Sequence, residues 1–185
     1  MNIQTLTPDL ARKHAAACKQ SWNGNQTCSI DNMQMSCFAS EGCNRGNRSG
    51  SNAFELRSLL SSQIKLVVTN EAGVFVGCVS ANACTNESHL SFLFPQTRFD
   101  PGSVLLSNLC VNQSERGKGV ARTIVLHLRK SHPKLYALIA LPVSTDPDVR
   151  KVMTSRAEGL KTAYGKMGFA VVGHHANYLL LKHTA

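Results

Sequence analysis

The chain has 185 residues, of which 43% are apolar and 17% are charged, as expected for one globular domain with a substantial core. Its longest apolar run, residues 135–141, is far too short to span a bilayer, which excludes a transmembrane helix. The formal net charge of +9 favours anionic partners, but the Lys and Arg residues are scattered without interleaved aromatics. This pattern argues against a dedicated nucleic-acid-binding domain.

The N-terminus has neither the charged region nor the apolar region of a signal peptide, so we expect an intracellular, cytoplasmic protein. The seven cysteines include no C-x-x-C pair, and we therefore predict no metal site. Those in strand-like segments are predicted to be buried thiols: Cys78, Cys84 and Cys110. Those in the polar loop carry no metal signature: Cys28, Cys37 and Cys43.

The first third of the chain predicts two helices separated by a long polar segment. Thr7 has the position of an N-cap and Pro8 that of a first helical residue, so we expect a helix over residues 7–22. Residues 23–52 are rich in Asn, Ser, Gly and Cys and show poor periodicity. Residues 53–60 then have helical spacing.

The periodicity changes to that of strands from residue 65 onward. Residues 65–69 and 74–83 predict a hairpin, with Asn70–Gly73 as its turn. Residues 90–94 form a short apolar run that the pattern assigns neither to a helix nor to a strand. Residues 104–111 predict a further strand.

The rest of the chain alternates between helices and strands. Apolar residues at Val120, Ile124, Val125 and Leu128 predict a helix, and residues 135–143 predict a central strand buried on both faces. Asp146-Pro147 opens another helix, which Gly168 ends. The last two strands are predicted over residues 169–172 and 178–181. The order predicts an α/β or α+β domain.

A glycine-rich turn separates strand 104–111 from the next helix. It holds Arg116, Gly117, Lys118 and Gly119, and the N-terminus of a helix follows. Glycines let backbone amides approach a ligand, helix N-termini present unpaired N–H groups, and the two cations add positive charge. The turn therefore suits a phosphate or diphosphate.

Two common nucleotide motifs do not fit this turn. The P-loop spacing is absent, and Arg122 stands where the dinucleotide fingerprint has its third glycine. The pattern Arg116-x-x-Gly119-x-Ala121 instead resembles motif A of the GCN5-related N-acetyltransferases. The run Tyr164-Gly-Lys-Met-Gly168-Phe169 is similar to the end of that family's last core helix. The resemblance covers residues 64–183 well and residues 1–63 hardly at all.

The resemblance implies an α/β (α+β) fold with a mixed, strongly twisted sheet of six to seven strands and about four helices. Its fourth and fifth strands would splay apart to admit the pantetheine arm. It also implies an acetyl-CoA-dependent N-acetyltransferase that transfers the acetyl group directly to a primary amine. Residues 1–185 would form a single domain, with divergent helices and the acceptor-side loop in residues 1–63 and the acetyl-CoA-binding core in residues 64–183.

The family's functional residues map onto this chain as follows. Tyr164 matches the tyrosine that protonates the departing thiolate, as a phenol can do for a weakly basic leaving group. The strand before the turn would bind pantetheine and stabilise the oxyanion through its backbone. The residues implied to bind acetyl-CoA are Leu109, Cys110, Val111, Arg116, Gly117, Lys118, Gly119, Val120, Ala121 and Ser155.

The chain departs from the family pattern at two positions. Ser107 and Asn108 stand where relatives often have a basic carboxylate, and Ala157 replaces an asparagine that contacts the cofactor. An ordered water can serve as the base, and the side-chain candidates are Glu41, Glu55, Glu87 and His89. Cys110 lacks an evident paired base for a role as acyl-accepting nucleophile.

The acceptor and the oligomeric state, including a homodimer, stay open. A polyamine or other small amine would need local acids such as Asp31, Glu41 and Glu55. A protein amine or an aminoglycoside-like compound is an alternative acceptor. A coenzyme A-binding protein with little catalysis and a basic nucleic-acid-binding module are the alternative functions.

Overall fold

A computed structural model describes residues 1–7, 9–10, 62–85, 89–175 and 177–184. In these residues seven strands form a mixed sheet of order β1-β2-β3-β4-β5-β7-β6. The strands are β1 Asn2–Thr5, β2 Ile64–Thr69, β3 Phe75–Ala83, β4 Val104–Val111, β5 Leu135–Ala140, β6 Phe169–His175 and β7 Tyr178–His183. The helices within the same residues are α1 His89–Leu93, α2 Val120–Ser131 and α3 Pro147–Lys166. The predicted mixed α/β sheet is confirmed.

The chain divides into two compact units. The first contains Met1–Ala81 and Asn108–Ile124, and the second contains Asn82–Ser107 and Val125–Ala185. β3, β4 and α2 contribute to both units, because the division falls within each of them.

The first unit contains the antiparallel strands β1, β2 and β3. β1 pairs with β2 from Asn2 opposite Thr69 to Thr5 opposite Leu66, and β2 pairs with β3. The predicted hairpin turn is confirmed: Gly73 has φ of +73°, and the Val74 N–H donates to Asn70 Oδ1 at 2.9 Å. β2 and β3 bury most of their apolar side chains, and Leu6, just after β1, is also buried.

β1 is a strand that the sequence pattern does not predict, whereas the predicted Thr7 cap is present. β1 reads Asn-Ile-Gln-Thr and is mostly exposed, so it lacks the apolar alternation that identifies a strand. The Thr7 hydroxyl accepts a hydrogen bond from the Leu10 N–H at 3.2 Å, as a cap does. Almost all of the two predicted N-terminal helices, residues 7–22 and 53–60, lies outside the described residues.

The second unit contains the parallel pair of the sheet. β4 and β5 pair in parallel from Val104 opposite Leu135 to Leu106 opposite Ala137. β5 also pairs antiparallel with β7, which pairs antiparallel with β6. One core cluster of this unit is built on large side chains from several elements: Cys84, Leu90, Phe94, Phe99, Tyr136 and Leu180.

Three element boundaries in this unit differ from those predicted. β5 ends at Ala140 rather than at residue 143, because Pro142 has no N–H to donate to a ladder. β6 and β7 extend to His175 and His183, because backbone pairing continues where the apolar pattern stops. The unassigned run 90–94 falls largely within the short helix α1, where Leu90 and the following Phe94 pack into the core.

Local signals explain the ends of α3. The Asp146 carboxylate accepts hydrogen bonds from the N–H groups of Asp148 and Val149 at 2.9 and 3.3 Å, so it caps the helix as predicted. Pro147 occupies the first turn, where its missing N–H costs nothing. The helix ends at Lys166, followed by Gly168 with φ of +92°.

We expect Gly173→Ala to destabilise the second unit. A Cβ at this position would lie 2.8 Å from Cδ1 of Phe94, a ring that already packs in the core. The overpacking should lower the free energy of unfolding by about 1–3 kcal/mol, measured by urea denaturation.

Gly159→Ala is the matched control for this change. Gly159 lies inside α3, and a Cβ there meets nothing within 4 Å. Alanine should therefore stabilise the helix by about 0.5–1 kcal/mol. Equal changes in the free energy of unfolding for the two substitutions would contradict the packing of Phe94 against β6.

Candidate functional site

Asn112 joins the end of β4 to the turn that follows. Its N–H donates to the Val76 carbonyl at 2.9 Å, and its Nδ2 donates to the Phe75 carbonyl at 3.5 Å. Its Oδ1 accepts from the Ser114 N–H at 3.4 Å. Asn112 therefore ties the turn to β3 and begins its reversal. This role was not among the predictions, although an Asn at the start of a polar turn is its usual signal.

The turn itself is closed by short-range backbone hydrogen bonds. The N–H of Glu115 donates to the Asn112 carbonyl at 2.9 Å, and the N–H of Lys118 donates to the Glu115 carbonyl at 3.4 Å. Gly117 and Gly119 have φ of +79° and +82°, which other residues adopt only with strain. A Cβ built at either glycine meets nothing within 4 Å. The space beside both glycines is thus open to a ligand.

The turn leads directly into the N-terminus of α2. Gly119 caps the helix with its carbonyl, which accepts from the N–H of Thr123 at 3.0 Å and from its hydroxyl at 3.2 Å. The N–H groups of Val120, Ala121 and Arg122 precede this first helical bond, so they have no acceptor within the helix. The first turn of α2 contains no acidic residue. This end of the helix therefore presents three donors and the positive end of the macrodipole.

Two cationic side chains belong to the same turn. Arg116 Nε donates to the Val111 carbonyl at 3.3 Å, which holds the guanidinium against the end of β4 while the side chain stays exposed. Lys118 Nζ lies 3.2 Å from Glu115 Oε1, and the lysine side chain is 60% exposed. An ion pair this exposed stabilises the protein little, so Lys118 can exchange the carboxylate for a phosphate at small cost.

The residues present fit a diphosphate. The structure brings nine of the ten predicted ligand-binding residues into one continuous strand–turn–helix segment of the first unit. Leu109, Cys110 and Val111 are the last three residues of β4, residues 116–119 form the turn, and Val120 and Ala121 open α2.

The tenth residue, Ser155, lies on α3 in the second unit. It is exposed and contributes to a cavity of about 480 Å³ along the first half of the helix. The remaining lining residues are Thr145, Pro147, Arg150, Lys151 and Thr154. Ala157, which replaces the family's asparagine, is buried and offers no polar group.

Tyr164 lies in the last turn of α3 and is partly buried. Its ring meets the ring of Phe169 edge-on, with 5.2 Å between centroids, and Phe169 meets His183 in the same way at 5.0 Å. Phe169 and His183 are both buried. Burial raises the pKa of Tyr164 to about 12, because desolvation disfavours the phenolate. The phenol is therefore protonated at neutral pH, as an ordinary tyrosine is, and the raised pKa makes it a weaker acid than an ordinary tyrosine.

We expect this pKa to be visible without any ligand. Near pH 10.5 an ordinary tyrosine is more than half ionised, whereas Tyr164 should still be protonated. The phenolate absorbance near 295 nm should thus be almost the same in the protein and in Tyr164→Phe at that pH. If the absorbance of the protein exceeded that of Tyr164→Phe by the absorbance of one phenolate, the burial of this hydroxyl would be contradicted.

Some of the remaining candidate residues lie in the described part of the chain, and the others lie outside it. Cys78 and Cys84 are buried as predicted, and burial raises the pKa of the Cys84 thiol to about 11. His89 is the first residue of α1. The candidate acids and the loop cysteines lie outside the described residues: Asp31, Glu41, Glu55, Glu87, Cys28, Cys37 and Cys43. In the described part of the chain, no helix is long and apolar enough to cross a membrane.

Comparison with known proteins finds no matching family profile and no similar curated sequence. The structure, however, is similar to solved structures over nearly its whole length. An aminoglycoside 6'-N-acetyltransferase complexed with coenzyme A has a TM-score of 0.53 at 14% identity, with 98% of this chain and 96% of that chain covered.

An N-acetyltransferase from Staphylococcus aureus Mu50 has a TM-score of 0.57 at 14% identity, with coverage of 98% and 100%. A protein from Pyrococcus horikoshii OT3 reaches 0.59 at 13% identity, with coverage of 100% and 98%. Sequence identities this low establish the fold alone. Structural neighbours across nearly the full chain include N-acetyltransferases, and this chain has the fold of the GCN5-related N-acetyltransferases.

Proposed function

We propose that this protein is an acetyl-CoA-dependent N-acetyltransferase that acts as a single domain on a primary amine. One observation carries the proposal: the glycine-flanked N-terminus of α2 presents unpaired amides and cations directly after β4 in this fold. The same local pattern in an unrelated fold would indicate only an anion site. The fold therefore favours acetyl-CoA among phosphorylated ligands.

The turn would bind the diphosphate of the donor. The backbone N–H groups of Gly117, Gly119, Val120 and Ala121 can donate to its oxygens, and the side chains of Arg116 and Lys118 neutralise its charge. Arg116 needs little reorganisation, because its Nε is already held by the Val111 carbonyl at 3.3 Å. The backbone of Leu109, Cys110 and Val111 would bind the pantetheine, as strand backbones do in this family.

The reaction would be a direct transfer. The donor supplies an activated thioester, whose carbonyl carbon is attacked by the lone pair of a neutral amine. The C–N bond forms, the C–S bond breaks, and the thiolate takes the proton of the Tyr164 hydroxyl. The proton lost by the amine passes to water, since Ser107 and Asn108 replace the strand carboxylate. The phenolate then recovers a proton from solvent.

The acceptor would be bound by residues 1–63, the segment that resembles the family least. Its local acids would favour a small amine or polyamine over other acceptors, because a carboxylate offsets the repulsion between a cationic amine and the net charge of +9. Residues 64–183 would form the donor-binding core.

The direct test is calorimetric titration with acetyl-CoA, followed by a thiol-release assay with small amines, polyamines and peptides. We expect saturable binding in the micromolar range and thiol release with at least one class of amine. Binding without thiol release for any acceptor would favour a coenzyme A-binding protein. No binding at tens of micromolar acetyl-CoA, combined with steeply salt-dependent binding to DNA or RNA, would favour the nucleic-acid-binding alternative.

A further inference from the structure

Tyr164 stands beside a tight connection between α3 and β6. The helix ends at Lys166, and β6 begins three positions later at Phe169. Between them Gly168 has φ of +92°, which reverses the chain and which other residues adopt only with strain. The reversal brings the ring of Phe169 back against the ring of Tyr164. The two aromatic residues are thus joined by a turn that has little conformational freedom.

The same turn is attached to the end of β7. The Thr184 N–H donates to the Gly168 carbonyl at 2.9 Å, and the Thr184 hydroxyl donates to the same oxygen at 3.1 Å. Next to this attachment, Phe169 lies directly opposite His183 in the antiparallel ladder of β6 and β7. Residues that are opposite each other project from the same face of a sheet, so these two side chains are neighbours. β7 therefore fixes the backbone that carries Phe169.

The rings of Tyr164, Phe169 and His183 form a chain of edge-on contacts, the ring column. The planes of Tyr164 and Phe169 meet at 73° with 5.2 Å between centroids, and those of Phe169 and His183 meet at 84° with 5.0 Å. Phe169 and His183 are only 5% and 6% exposed. Aromatic pairs favour this geometry, and a closely packed ring has few alternative rotamers. The column thereby restricts the orientation of the Tyr164 ring.

We propose that Phe169 and His183 are positioning residues, whose rings hold the Tyr164 hydroxyl in the orientation from which it donates its proton. The inference rests on the proposed function, in which Tyr164 protonates the departing thiolate. A proton passes efficiently only when its donor and acceptor atoms are within hydrogen-bond reach, so a ring that turns freely is misaligned for part of the time. Phe169 has no proton to transfer, and His183 acts on Tyr164 through the ring of Phe169.

The main test is Phe169→Leu, which removes the ring contact and keeps an apolar side chain. The kcat for thiol release should fall about tenfold while the Kd for acetyl-CoA changes less than about twofold, because the hydroxyl remains but its orientation varies. A second readout needs no ligand. Near pH 10.5 the absorbance near 295 nm of Phe169→Leu should exceed that of Phe169→Leu/Tyr164→Phe, because the opened column admits water to the phenol.

The matched control is Phe99→Leu. Phe99 is also buried and meets a tyrosine, Tyr136, edge-on with 5.0 Å between centroids, so the substitution removes a comparable contact from the same unit. It should lower the free energy of unfolding in urea by a similar amount and leave kcat within about twofold. Equal losses of kcat in Phe99→Leu and Phe169→Leu would overturn the proposal, since a general loss of packing would explain both.

Two substitutions at His183 distinguish its ring from its nitrogens. His183→Phe keeps a ring opposite Phe169 and should retain kcat within about twofold, whereas His183→Leu should lower kcat about fivefold. Equal losses in both variants would assign the effect to the imidazole nitrogens and overturn the role of the ring. Phe169→Leu introduces no larger side chain, so it decides the proposal if His183→Phe prevents folding.

The outcomes separate this inference from the proposed function. If kcat of Phe169→Leu stays within about twofold of the wild-type value, the positioning role is overturned and the acetyltransferase proposal stands. An absorbance of Phe169→Leu equal to that of Phe169→Leu/Tyr164→Phe would show that the column does not cover the phenol, which also overturns the role. If the wild-type protein releases no thiol with any amine, the proposed function fails, and the absorbance comparison alone decides whether Phe169 holds Tyr164.

Discussion

Replacing Tyr164 with Phe should reduce kcat about a hundredfold while the Kd for acetyl-CoA changes less than twofold. The substitution removes one hydroxyl, which is the group expected to protonate the thiolate, and general acid catalysis contributes about 10²–10⁴ to a rate. The ring stays, so its edge-on contact with Phe169 at 5.2 Å should be preserved. Steady-state thiol release and calorimetry measure the two quantities.

Tyr178→Phe is the matched control for this prediction. Tyr178 is also partly buried and begins β7, and its hydroxyl has no role in the proposed reaction. Its removal should leave kcat within about twofold. A kcat of Tyr164→Phe that stays within the same limit would show that the thiolate leaves without this acid, since thiolates are weak bases at neutral pH.

The double substitution Arg116→Gln/Gly119→Ala should weaken acetyl-CoA binding about a hundredfold. Loss of a charge-assisted contact costs about 1.5–3 kcal/mol. Alanine at Gly119, where φ is +82°, can relieve about 1–2 kcal/mol of backbone strain by shifting the amides that follow, and this shift weakens their contacts with the diphosphate. Together these effects amount to about 3 kcal/mol or more, which calorimetry resolves readily.

The control for this variant is Gly73→Ala/Arg129→Gln. Gly73 also has a positive φ of +73°, and a Cβ there meets nothing within 4 Å, so alanine imposes a similar strain in the β2–β3 turn. Arg129 lies in the last turn of α2. This control should lose stability but keep its affinity. Equal weakening in both variants would attribute the effect to global charge and strain rather than to a binding turn.

Much of the candidate donor site was predictable because its signals are local. Gly117 and Gly119 are separated by one residue, and their positive φ angles follow from the tight passage between a strand and a helix. The apolar spacing of α2 and the Asp146 cap of α3 are also contained within a few residues. Short-range patterns of this kind depend little on the rest of the fold.

The unpredicted features depend on residues that are distant in the sequence. β1 forms because its backbone pairs with β2, some 60 residues later, and its own side chains show no strand pattern. Asn112 takes its role from carbonyls of Phe75 and Val76. The residues next to β1 do not indicate that it pairs with β2, and the residues next to Asn112 do not indicate that it bonds to β3.

Local sequence patterns were therefore enough to predict the segment that runs from β4 through the glycine turn into α2. They also predicted the Asp146 cap of α3 and its end before Gly168. Each of these features is decided by backbone freedom and residue spacing within a few positions. Folding was needed to anchor the turn to β3 and to hold Arg116 at the Val111 carbonyl. It also creates the environment of Tyr164, whose pKa of about 12 comes from burial. Burial and pairing arise only when distant side chains and strands are brought together, so no local pattern in the sequence specifies them.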